Sequence, residues 1–185
     1  AAELEVAMEQ EWGLGECLLV PKGDSLANTY REMAGRVTEL LTRILSKGDT
    51  LGLSWGETLR TIGENMGNLG IGDVNVVPII GAMGTVETGI YPNSIAREFA
   101  DRIGGHAYLV NTPAVVDGRE IREFLRKDRN FQIVRQTWDH LSPVLMSVSA
   151  LDEQTSVYKN GIFSREELAQ LRRVGVLRFL RGALR

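Results

Sequence analysis

The run Val74-Asn75-Val76-Val77-Pro78-Ile79-Ile80 constrains this chain more than any other stretch. It is apolar and β-branched and lacks the strict alternation of a half-exposed strand. Such a run suits a parallel strand covered on both faces. A parallel strand needs a crossover connection, usually a helix, and the flanking sequence supplies helices. Before it, Leu26–Leu45 carries Met33, Val37, Leu40, Leu41, Ile44 and Leu45 at helical spacing, and Lys47-Gly48-Asp49 ends that helix with a glycine signal. Gly56–Met66 forms a second helix, and Asn93–Ile103 follows the run as a third.

The same alternation extends along the chain. Strands are expected at 16–20, 50–53, 74–80, 106–110 and 144–148. Further helices are expected over Ala2–Gln10, Asp117–Arg126, Asn130–His140 and Arg165–Arg173. The class is therefore α/β, three-layered, with a mainly parallel sheet. At 185 residues and 43% hydrophobic content the chain suffices for one domain with its own core, and no linker marks a second.

Composition narrows the function classes. A net charge of −3 argues against a nucleic-acid-binding surface across the whole domain. The single Cys17, in the apolar setting ECLLV, excludes an internal disulfide and is expected at a strand core position. The start, AAELEVAMEQE, is acidic and has no basic n-region, unlike a signal peptide. The longest apolar run is too short to span a bilayer, so the expectation is a cytoplasmic domain with no membrane partner.

Ligands of open parallel sheets bind outside the carboxyl ends of the strands. Five polar or glycine-bearing loops fall there. Ser54-Trp55-Gly56-Glu57-Thr58 joins a strand to a helix N-terminus, which offers free N–H groups and a positive dipole end to an anion. Ser54 and Thr58 can add hydroxyls, and Gly56 lets a phosphate approach. The same residues have the S-x-x-E form of a capping box, which closes a helix without any ligand. The loop alone leaves both readings open, and no P-loop pattern is present. Gly81 and Gly84 in the next loop can expose backbone N–H groups or simply mark a strand exit. Asn93 can cap its helix or offer an amide to sugar hydroxyls. Thr112-Pro113-Ala114 and Val148-Ser149-Ala150-Leu151-Asp152 close the last two strands.

Taken in order, EWGLGECLLVP, KGDTLGLSWGETL, VVPIIGAMGTVE, NSIAREFADRIGGHAYLVNTPAVVD and SALDEQTSVYKNGIFSREELAQL resemble the effector domain of the SorC family of bacterial transcriptional regulators. The resemblance covers the chain up to about Leu171. It implies a fold similar to glucosamine-phosphate deaminase and ribose-phosphate isomerase, a sugar or sugar-phosphate effector, no cofactor, and assembly as a homo-oligomer. It places Ser54, Gly56, Thr58, Gly81, Gly84, Asn93, Ser149 and Lys159 among the ligand contacts. Ser54 is then expected to cap its helix while the remaining first-turn N–H groups face the ligand. Operator DNA would be met through a helix-turn-helix that these 185 residues do not contain, and the family pattern continues past their end. The sequence departs from the pattern at Ala82, Pro92 and Ser147-Val148-Ser149, where the family carries a glycine, a small residue and Gly-x-Gly. Those side chains narrow the pocket or supply new hydroxyls.

The competing class is a sugar-phosphate isomerase or deaminase, which needs a positioned base. Asp73, Glu87, Asp117 and Asp152 are the carboxylate candidates, with Glu87 the best placed and Asp117 reading as a helix cap with Glu120. His106 and His140 show no metal-ligand spacing. Fold alone does not give activity, so binding is preferred over catalysis; a purely structural oligomerisation module is disfavoured by the polar loops. The segment RRVGVLRFLRGALR at 172–185 holds five arginines and as an amphipathic helix suits a membrane or nucleic-acid contact. The preferred reading is a truncated or altered terminus, where the family pattern stops matching, and any nucleic-acid binding through it is expected to be non-specific and salt-dependent.

Overall fold

Strand β1 (Thr50–Leu53) is buried along its whole length and lies inside the sheet. It pairs in parallel with β2 (Asn75–Pro78), Thr50 opposite Asn75 and Leu53 opposite Pro78. β2 pairs with β3 (His106–Ala107), and β1 pairs on its other side with β4 (Val144–Leu145). The order β3-β2-β1-β4 is parallel throughout, so all four strands deliver their carboxyl ends to one edge. The computed structural model describes residues 2–82, 91–148, 152–153, 158, 161 and 163–174.

The pleat sends neighbouring residues of β2 to opposite faces, and each face has its own helices. Val76 joins Leu51, Leu53 and Val74 in a core closed by α2 (Leu26–Ile44), α3 (Glu57–Asn65) and α4 (Pro92–Ile103). Phe99 of α4 sits at its centre with no exposed surface. Val77 faces the other way, into a smaller cluster with Val110 and with Val134 and Trp138 of α6 (Arg129–Trp138). α5 (Arg119–Lys127) precedes α6 on that side, and α7 (Arg165–Arg173) follows β4 in the chain. The layers are helix, sheet, helix, as the alternation of elements requires.

Two expectations fail. Residues 16–20 form no strand. The helix α1 (Ala2–Trp12) runs beside them, and its carboxylates take their N–H groups: Cys17 donates to Glu9 Oε1 at 2.7 Å and Leu19 to Glu5 Oε1 at 2.8 Å. Donors spent on side chains are lost to a ladder, and Cys17 is half-buried rather than in the core. β1 matches its expected span, while β2, β3 and β4 are shorter than the runs expected at 74–80, 106–110 and 144–148. After β3 only the Tyr108 N–H still bonds to Val76 O, at 2.8 Å, before the chain leaves the sheet.

Candidate functional site

The exits of β1 and β4 are tied together. The Ser54 N–H donates to Leu145 O at 3.0 Å, its Oγ accepts from the Ser147 N–H at 3.2 Å, and Ser147 Oγ donates to Trp55 O at 3.3 Å. Ser54 is therefore still part of the sheet and is not the cap of α3. A capping box needs the cap residue's own N–H for the glutamate, and at Ser54 that donor is taken. The N-cap is Gly56, at φ 130°, a backbone conformation that side chains disfavour. No side chain closes the helix start. Among the described residues the first-turn N–H groups thus keep their hydrogen-bonding capacity at the carboxyl edge, and Thr58 is half-buried in that turn.

Glu57, at the first helical position, turns away from Ser54 and pairs with Arg60. The hydrogen bond from Arg60 holds its carboxyl below the usual range, against a smaller opposing effect of burial, and Glu57 in turn raises the Arg60 guanidinium. The Glu57 charge is thus neutralised by Arg60 rather than engaged in a cap.

Gly81 serves a crossing of two chains. A Cβ there would lie 2.3 Å from Thr112 O. The close approach lets the Ala82 N–H donate to Thr112 O and the Ala114 N–H donate to Ala82 O, each at 2.8 Å. Asn93 is not a cap either, since α4 starts from Tyr91 with Pro92 at its first turn. The Asn93 amide reads the backbone of Val110: Oδ1 accepts from its N–H at 2.9 Å, and Nδ2 donates to its carbonyl at 3.2 Å and to Asn111 Oδ1 at 3.4 Å. Both amide ends are committed to holding the exit of β3 against α4. Gly84, Ser149 and Lys159 lie outside the described residues, as does Glu87.

The structure brings Ser54, Gly56, Thr58, Gly81 and Asn93 to the carboxyl edge. Two of the base candidates fall elsewhere. Asp73, at φ 51°, precedes β2, and His106 opens β3, so both occupy the opposite, amino edge. Asp117 is exposed and caps nothing, because α5 starts from Gly118 and makes no capping box with Glu120. Asp152 is half-buried in the segment after β4, and His140 is exposed beyond α6. Among the described residues no group of three His, Cys, Asp or Glu is placed to hold a metal ion. Sequence reasoning named Ser147 only as a departure that could supply a hydroxyl to the pocket; in the structure its hydroxyl and N–H tie the exit of β4 to Ser54 and Trp55. It passed over Trp138, whose Nε1–H donates to Pro78 O at 2.9 Å and fastens α6 to the end of β2.

A family model described as a sugar-binding domain (Sugar-bind) matches residues 1–177. The chain belongs to that family. The domain is 29% identical over 150 residues to the sorbitol operon regulator of Klebsiella pneumoniae, covering 80% of this chain and 48% of the regulator. It is 24% identical over 171 residues to the deoxyribonucleoside regulator of Bacillus subtilis (strain 168), covering 91% and 54%. Against the crystal structure of the full-length Klebsiella pneumoniae sorbitol operon regulator SorC it superimposes with a TM-score of 0.78. The identity there is 26%, with 93% of this chain and 57% of the other covered. The sugar-binding domain thus spans about half the length of the regulators it matches. These relatives are transcriptional regulators, and the SorC resemblance read from the sequence holds. No helix among the described residues is long and apolar enough to cross a membrane.

Proposed function

We propose that this domain binds a sugar or sugar phosphate at the carboxyl edge of its sheet and thereby controls operator binding by a DNA-binding part of the whole regulator. The observation that carries the reading is the start of α3. Its N–H groups have no side-chain cap, its N-cap is a glycine, and the strand exits on either side are braced against each other. A hydroxyl-rich or anionic ligand matches such donors. Ser54 and Asn93 contribute by holding the rim, while Gly56 and Thr58 are the proposed contacts; Gly84, Ser149 and Lys159 remain proposed from the resemblance alone.

Binding is favoured over isomerase or deaminase chemistry by the relatives, which are transcriptional regulators. Of the base candidates, Asp73 and His106 stand at the wrong edge to move a proton on a ligand held at α3, and Glu87 lies outside the described residues. The test is a thermal-shift screen of sugars and sugar phosphates, followed by calorimetry of Thr58→Ala with each compound that stabilises the chain. Thr58→Ala should weaken binding by about 0.5–1.5 kcal/mol, or up to about 3 if the bond is to a charged group. A hit whose affinity ignores Thr58→Ala would move the ligand away from α3. Turnover of a hit in a coupled assay would favour the enzyme reading.

A further inference from the structure

Beyond the α3 loop, the same side of the molecule carries an open groove of about 630 Å³. It runs between the chain leaving β3, from Thr112 to Gly118, and α5, and among the described residues no carboxylate lines it. Its apolar lining is Val115, Val116, Leu125 and Phe131. Phe131 packs edge-on to Trp138, ring centroids 5.7 Å apart, and Trp138 is fastened to Pro78 O. The floor is therefore anchored to the carboxyl end of β2. Along the opposite wall stand Arg119, Arg122 and Arg126. Their i, i+3, i+7 spacing sets all three on one face of α5. Arg122 meets Glu123 at 3.3 Å, both well exposed, while Arg119 and Arg126 have no ion-pair partner among the described residues.

Three like charges on one helix face repel each other, and among the described residues only Arg122 has a carboxylate, Glu123, to offset its charge. Guanidinium groups form paired N–H donors matched to phosphate oxygens, and apolar walls strengthen such pairing by keeping water back. We propose that this groove is a phosphate-binding site in which Arg119, Arg122 and Arg126 hold the anion and Val115 and Phe131 bear on whatever it is attached to. The phosphate has two possible sources: the effector's own phosphate group, in which case the site extends the proposed sugar pocket and rests on that reading, or a separate free anion.

The experiment is calorimetry on the whole chain at constant ionic strength, with inorganic pyrophosphate, glucose, glucose 6-phosphate and the free and phosphorylated forms of any sugar found by the screen. The parent is compared with the R119Q/R122Q/R126Q variant. The replaced side chains are exposed, so the variant should fold with an unchanged or higher unfolding midpoint, checked by circular dichroism. Pyrophosphate is expected to bind the parent and to bind the variant at least tenfold more weakly. If the advantage of a phosphorylated sugar over its free form also vanishes in the variant, the effector supplies the phosphate. If that advantage persists while pyrophosphate is lost, the anion is separate. Pyrophosphate that fails to bind the parent, or binds both proteins equally, overturns the site. Sugar binding in a parent that does not bind pyrophosphate leaves the sugar reading standing alone. Pyrophosphate binding without any sugar binding does the reverse.

Discussion

At the scale of residues, two S-x-x-E sequences in this chain behave differently, and the difference is physical. Ser164 and Glu167 form a complete capping box on α7, the Ser164 N–H donating to Glu167 at 2.8 Å. Ser54 and Glu57 form none, because the Ser54 N–H is bound to Leu145 O and Arg60 holds Glu57. A double-mutant cycle on Ser54→Ala and Glu57→Gln should therefore be additive within about 0.3–0.5 kcal/mol in urea unfolding. A capping box would show coupling beyond that. Ser54→Ala alone should cost about 1 kcal/mol through the lost acceptor for the Ser147 N–H. Glu57 also makes a prediction in pH. Its folded carboxyl is held below its ordinary value, so its stabilising contribution is present above about pH 4.3 and fades as the pH falls through the folded value. The loss of urea midpoint between pH 7 and pH 3 should be smaller in Glu57→Gln than in the parent.

At the scale of elements, the rim is built from crossings rather than from long ladders. Gly81→Ala would drive a Cβ to within 2.3 Å of Thr112 O, a backbone atom with little room to yield. It should destabilise by about 1–3 kcal/mol, the range for overpacking, and thermal unfolding will measure it. Trp138→Phe keeps the ring against Phe131 but leaves Pro78 O without its donor, at a cost of about 1–3 kcal/mol. These crossings also mark where the sequence stops being legible. Helical spacing and β-branched runs depend on local periodicity, so α2, α4 and β1 read directly from the chain. The pairing of Asn93 with Val110, or of Ala82 with Thr112, joins residues far apart in sequence that carry no shared signature. Asn93 therefore read as a cap or a ligand contact, although its amide is committed to backbone. The segment 16–20 misled for a related reason: ECLLV has strand composition, but its donors belong to Glu5 and Glu9 of a helix that composition cannot place.

At the scale of the whole molecule, stability is concentrated on one side of the sheet. Phe99 is fully buried among residues from α2, α3 and β1, and Phe99→Ala should cost about 3–5 kcal/mol, a large part of the about 5–15 kcal/mol of an ordinary domain. A drop in melting temperature far beyond that of Val134→Ala, on the smaller face, would show the asymmetry. α1 lies at the other extreme. None of its eleven residues is fully buried, with Leu4 and Trp12 more than half exposed, and side chains of Glu5 and Glu9 bind it to residues 17–19. A helix of that length is marginal in water without packing to support it. Its amides should accordingly exchange with deuterium in conditions where those of β1 and β2 stay protected. The domain then has two melting points rather than one, and a fluorescence transition followed at Trp12 should precede one followed at Trp138.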